Sequence, residues 1–164
     1  MELMKKGEIA VTPFEPKNFG ALSLDLRLGN EFRVFRGKRR FVVTEDAYFS
    51  DAFQRSTKVV KADGGLLLAP GQLVLGATQE RIKLSKNVCA TLEGRSRFAR
   101  MGLMVHVSSS LVQPGVDNVQ VLEILNVSPF ELVVKPGVKI CQIRFELVED
   151  GEKYRGTFQN QTSV

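Results

Sequence analysis

Two stretches of this chain carry residue types that could do chemistry: a carboxylate set among apolar neighbours, and a run of guanidinium groups beside a hydroxyl. The carboxylate is Glu123. Read as an extended strand, the segment from Val119 to Asn126 puts Val119, Val121, Glu123 and Leu125 on one face, so the acid shares its side with three apolar residues. Burial disfavours the charged form and raises a carboxyl pKa towards neutrality, the range a general base needs. The bland explanation is a carboxylate paired with a buried arginine, and Arg100 is the partner expected under either reading.

The guanidinium run is Gly94-Arg95-Ser96-Arg97-Phe98-Ala99-Arg100-Met101-Gly102. It predicts a short helix from Ser96 to Arg100, capped in front by Gly94-Arg95-Ser96. Amides at a chain turn, a hydroxyl at Ser96 and arginine forks together suit phosphate oxygens. The same residues also suit an arginine-rich surface turn, and composition alone does not separate the two. His106, in the apolar Leu103-Met104-Val105-His106-Val107, is expected as a core or interface histidine without a catalytic part. Ser108-Ser109-Ser110 lacks the glycines of a nucleophile elbow. Cys89 and Cys141 are not in a C-x-x-C pair, so a disulfide framework or thiolate zinc site has little to build on, and both are expected reduced.

The elements that must position these groups are mostly strands. Leu22 to Leu28 alternates apolar and polar residues without a fault, and Cys141, Ile143, Phe145 and Leu147 alternate with Gln142, Arg144 and Glu146. Further apolar runs at Leu73 to Leu75, Val88 to Leu92, Leu103 to Val107, Val119 to Leu125 and Leu132 to Val134 are spaced by turn residues, as in a sandwich or barrel. Pro70-Gly71, Pro114-Gly115 and Pro136-Gly137 each suit the centre of a type II turn and are expected corners. Thr44 to Gly65 is poorly periodic, and the polar tail from Asp150 shows no apolar period; it is expected to be disordered or ordered by ligand. One domain, 1–149, with a flexible tail, 150–164, is the organisation this implies for 164 residues of which 43% are hydrophobic.

The net charge of +5 favours anionic partners but does not choose between a polymer and a small phosphate ligand. Its densest basic run, Arg36-Gly37-Lys38-Arg39-Arg40, is expected as a solvated hairpin tip, not a nucleic-acid patch. No apolar run is long enough to cross a bilayer and no leader pattern stands at the start, so a soluble, cytoplasmic protein is expected.

Taken together, Ser23-Leu24-Asp25-Leu26-Arg27-Leu28-Gly29, Glu93-Gly94-Arg95-Ser96 with Ala99-Arg100-Met101-Gly102-Leu103, Pro114-Gly115 and Val121-Leu122-Glu123 resemble the dCTP deaminase branch of the dUTPase-like superfamily. The resemblance covers most of the chain, with Thr44 to Gly65 unmatched. It implies an all-β, distorted jelly roll with few short helices, assembled as a homotrimer whose active sites lie between subunits and are closed by the C-terminal tail. It implies that Arg95, Ser96, Arg97, Phe98, Ala99 and Arg100 lie along the triphosphate, and that Val121 and Leu122 offer backbone to the pyrimidine. Ser109 and Gln113 line the site, and Tyr154 and Gln161 close over it. Glu123 is then the general base, with Arg100 and Ser96 beside it.

The implied reaction is hydrolysis of dCTP to dUTP and ammonia, a source of dUTP for thymidylate synthesis. Magnesium enters only with the triphosphate, and no zinc is needed, because the H-x-E and P-C-x-x-C pair of the zinc deaminases is absent. Four positions depart from the family pattern: Gln113 replaces an aspartate that holds the sugar hydroxyl and serves the pyrophosphatase members, Arg97 replaces a small hydroxyl residue, Thr157 stands where a tail lysine is common, and Ser109 occupies a position usually alanine whose backbone carbonyl helps place water. A dUTP pyrophosphatase, a bifunctional enzyme and a non-catalytic nucleotide-binding trimer are the alternatives.

Overall fold

The alternation of Leu24, Leu26 and Leu28 in the sequence becomes alternation in space, with all three buried and Asp25 and Arg27 between them half-buried. The structure, a computed structural model, describes residues 2–164. Its strands are β1 (Ile9–Thr12), β2 (Leu24–Phe35), β3 (Thr57–Lys61), β4 (Leu66–Leu68), β5 (Leu73–Leu84), β6 (Val88–Gly94), β7 (Leu103–Val105), β8 (Leu111–Val112), β9 (Asp117–Asn126), β10 (Leu132–Val134) and β11 (Lys139–Leu147). Among the described residues, three helices of one turn, α1 (Glu2–Lys5), α2 (Asp51–Gln54) and α3 (Ser96–Ala99), complete the regular structure together with two 3₁₀ turns.

Among the described residues all strand pairings are antiparallel. One curled sheet runs in the order β7, β9, β5, β2, β11, β6, β8, with β1 added to β5 and β3 added to β2, and a second sheet pairs β10 with β4. The expected all-β architecture is what the chain adopts. Leu26, Leu28, Phe32, Val74, Ile82, Leu122, Ile124 and Ile143 are fully buried and form one continuous apolar cluster. Burying a side chain of that size contributes about 1.5–3 kcal/mol.

The three expected corners are present, with Gly71, Gly115 and Gly137 at φ of +75°, +81° and +80°, where glycine alone is unstrained. Two expectations need correction. Register shifts between Lys139 and Cys141, so Ile140 and Cys141 are both buried while Leu147, at the far end of β11, is 72% exposed. Arg36 to Arg40 is solvated but is no tight hairpin tip. Phe35 pairs with Thr57, so residues 36–56 form a long excursion containing α2, where the Ser50 hydroxyl accepts the Phe53 N–H at 3.2 Å as an N-cap.

Candidate functional site

The site is built on β9. Its even residues, Asn118, Gln120, Leu122, Ile124 and Asn126, are buried, whereas the odd face bearing Val119, Val121, Glu123 and Leu125 is half-buried. Glu123 therefore shares its face with the expected apolar neighbours, but that face lines a cleft and does not belong to the core. The reason is an incomplete edge. Short β7 covers β9 only as far as Ile124, and His106 then donates its N–H to the Glu123 carbonyl at 2.7 Å.

Lower down, the same edge is covered by the C-terminal tail. Asp117 donates to the Gln159 carbonyl at 2.9 Å and Val119 to the Gln161 carbonyl at 3.1 Å. Alternation turns the backbone of Val121 to the same side, between these two covers, and among the described residues its N–H and C=O have no main-chain partner there. A free donor and acceptor thus stand two residues from a carboxylate. Leu122 differs: its side chain is fully buried and its backbone is turned to β5, so only Val121 of that pair faces the cleft.

The Glu123 carboxylate is held by Ser108, whose N–H lies 2.8 Å from Oε2 and whose hydroxyl lies 2.9 Å from Oε1. No described arginine pairs with it. Around it opens a cleft of about 400 Å³ that brings together Ser109, Gln113, Val121, Glu123, Tyr154 and Gln161, all singled out in the sequence. Its wall also contains Tyr48 and Phe158, which were not, and His106, expected only as a core or interface histidine.

His106 does not lie inside an apolar strand, as the run Leu103 to Val107 suggested. β7 stops at Val105, and His106 turns the chain with φ of +59°, an uncommon conformation in which histidine is enriched. Its Nε2 contacts the Ser109 carbonyl, and its Nδ1 is buried without a partner among the described residues. Ser108 carried only one signal in the sequence, a hydroxyl run directly after an apolar strand. The tail is likewise not detached: Tyr154 donates to the Pro114 carbonyl at 2.8 Å, and the Gln159 side chain donates to the Gly115 carbonyl at 3.2 Å.

The arginine segment lies elsewhere in the chain. Arg95, within the expected Gly94-Arg95-Ser96 segment, is the N-cap of α3 in extended conformation, but no side-chain hydrogen bond completes the cap. Its guanidinium sits 3.3 Å from Asp25 and donates to the Lys139 carbonyl at 3.1 Å, tying β6 to β2 and β11. Ser96, Arg97, Ala99 and Arg100 are exposed, and Phe98 is half-buried in a second, apolar cavity with Met101 and Leu103. Arg100 is not the partner of Glu123 within one chain. Leu103 pairs with Asn126, which sets the end of α3 about three strand residues, on the order of 10 Å, along β9 from the carboxylate.

A second carboxylate, which the sequence did not reveal, is Glu80 on β5. Only 1% exposed, it accepts the Arg27 N–H at 2.8 Å and the Arg27 Nε at 2.7 Å, while Arg27 also binds Glu15. The hydrogen bond to Glu80 leads in raising the Arg27 guanidinium above its ordinary pKa, against the opposing effect of burial. Among the described residues no group of three or more His, Cys, Asp or Glu side chains is arranged to hold a metal ion. The cleft itself offers one carboxylate, Glu123, beside neutral Gln113 and Ser109, which is not a magnesium cage.

The pattern of the family described as dCTP deaminase-like matches residues 1–148. The chain belongs to that family. It is 37% identical over 150 residues to the dCTP deaminase of Rhodospirillum rubrum, an alignment covering 87% of this chain and 76% of the relative. It is 34% identical over 160 residues to a "dCTP deaminase, dUMP-forming" of a Sulfurihydrogenibium species, covering 96% and 87% respectively. Among solved structures, the 2'-deoxycytidine 5'-triphosphate deaminase of Agrobacterium tumefaciens superposes with a TM-score of 0.68 at 23% identity, over 89% of this chain and 46% of that one. A Staphylococcus phage 80α dUTPase superposes at 0.54 with 9% identity, over 91% and 96%. These two likenesses concern the fold, which is therefore of the dUTPase-like type.

Proposed function

We propose that the chain hydrolyses dCTP to dUTP and ammonia, with Glu123 as the general base. The observation that carries this reading is a carboxylate held only by neutral donors in a cleft, two residues from the free backbone edge at Val121. That edge suits the donor and acceptor pattern of a pyrimidine, and the cleft is of nucleotide size. Glu123 takes a proton from water as the oxygen attacks C4 of cytosine and passes it to N3, which receives the C4=N3 electrons; the carboxylate then carries the hydroxyl proton of the adduct to the exocyclic amine, the bond from C4 to that amine breaks, and ammonia leaves a carbonyl at C4. Water supplies the oxygen of the product carbonyl, so no oxidant or reductant enters.

The exposed Ser96, Arg97 and Arg100 of one chain serve the cleft of a neighbouring copy in a homotrimer, where arginines face the triphosphate and Arg100 counters charge developing at the base. Magnesium would travel on the phosphate oxygens, and no step depends on it. Names of several relatives carry the words "dUMP-forming", which favours a second reading in which the triphosphate is also cleaved. Gln113 weighs against it, because an amide cannot activate water as a carboxylate does.

Incubation of the purified protein with dCTP and, separately, dUTP, followed by chromatography for dUTP, dUMP, ammonia and pyrophosphate, tests both readings. Ammonia without pyrophosphate is the expected result, and absence of ammonia overturns the proposal. Arg100→Ala should impair binding and turnover together. Mixing Arg100→Ala with Glu123→Gln subunits should restore part of the activity if the site is shared between copies, and none if each chain is self-sufficient.

A further inference from the structure

The excursion at residues 36–56, unmatched by the family resemblance over much of its length, ends against the tail. Tyr48 meets Phe158 edge-on with ring centroids 6.0 Å apart, and Phe49 stacks on the same ring at 6.4 Å with an interplanar angle of 21°. Behind them Phe53 buttresses Tyr48 at 5.7 Å, so the clamp rests on α2. Tyr48 and Phe158 both line the cleft that holds Glu123. The backbone from Phe158 onward is tied to β9: the Asn118 side chain donates to the Phe158 carbonyl at 2.7 Å, and the carbonyls of Gln159 and Gln161 accept from Asp117 and Val119.

The geometry points to Tyr48 and Phe49 as positioning residues that clamp Phe158 and thereby hold the tail across the cleft of its own chain, fixing Tyr154 and Gln161 beside the nucleotide. Phe158 is 41% exposed, so the ring is not held by the core, and its contacts to these two aromatic residues supply what burial does not. Tyr48 has no hydrogen bond from its hydroxyl among the described residues, which leaves the ring as the part that acts on the tail. The nucleotide arm of the test rests on the deaminase reading; the exchange arm does not.

Amide hydrogen exchange gives the direct test, because the Asp117 and Val119 amides are covered only by the tail. In Tyr48→Ala these two amides should exchange about tenfold faster, the scale of a lost pair of aromatic contacts. The amides of Leu122 and Ile124, on the β5 side of the same strand, should keep their protection and report an intact fold. Tyr48→Phe, which keeps the ring, should restore the slow exchange. Phe158→Ala, placed outside the core, should repeat the Tyr48→Ala result and decides the matter should Tyr48→Ala fail to fold.

With dCTP, Kd by calorimetry and KM should both rise about tenfold in Tyr48→Ala while kcat changes less than about threefold. Unchanged exchange at Asp117 and Val119 in both alanine variants overturns the clamp. Faster exchange with unchanged Kd and KM overturns its part in positioning the tail for nucleotide. If the unaltered protein binds no dCTP, the deaminase reading fails, and the exchange arm still decides whether the clamp exists.

Discussion

Glu80 and Glu123 are the same side chain on neighbouring, paired strands, and their surroundings make them opposites. Glu80 is sealed in the sheet, with both carboxylate oxygens engaged by the backbone and guanidinium of Arg27, which Glu15 braces from outside. Glu123 opens onto a cleft and is held by one serine. A carboxylate matched by a fixed cation is a structural tie whose acceptors are used up. One held by neutral donors beside an open volume keeps lone pairs that a water or a base can reach. The local partner set, not the residue type or its apolar neighbours, separates the two.

The comparison breaks most readily at Glu123. Glu123→Gln should lower ammonia release by about 10²–10⁴-fold, the usual contribution of general acid–base catalysis, with dCTP affinity within a few-fold of the unaltered protein by calorimetry. Equal loss of binding and turnover would make Glu123 a structural tie like Glu80. The reverse signature is expected from Glu80→Ala, which leaves the largely buried Arg27 with Glu15 as its remaining carboxylate. It should cost about 3 kcal/mol in urea denaturation while the protein that stays folded retains its kcat.

A smaller effect sharpens the role of the serine. Ser108→Ala removes one of two donors to Glu123 and leaves the backbone N–H, so kcat should change by about fivefold, with KM nearly constant. The smallest effect is a labelling difference near Glu80. Burial pushes the Cys141 thiol far above its ordinary pKa, with the charge of Glu80 adding to the rise. Thiolate is the reactive form, so a raised pKa keeps Cys141 protonated and unreactive at pH 8. Mass spectrometry after iodoacetamide treatment should show half-buried Cys89 modified and Cys141 spared; in Glu80→Ala, modification of Cys141 would report that the tie holds this part of the sheet closed.

Much of the frame was legible beforehand because it depends on short-range rules. The alternation of Leu24, Leu26 and Leu28, the Pro-Gly corners and the odd face of β9 follow from backbone geometry over a few residues. Six residues of the cleft, from Ser109 to Gln161, were named for a different reason, the family resemblance. The expected Arg100 to Glu123 contact was not formed, because pairing of Leu103 with Asn126 carries α3 beyond the carboxylate. His106 was read as a strand residue, since its left-handed backbone leaves no trace in an apolar pattern.

The sequence by itself determined a strand-rich fold, its family, and a candidate acid on a half-apolar strand face, for these reside in spacing and residue type. Only the tertiary structure decided which carboxylate is sealed and which is open, where the tail lies, and that Tyr48 meets Phe158. Those outcomes join residues far apart along the chain, such as Arg27 with Glu80. They depend on which strands pair and in which register, a property of the whole sheet that no local window contains.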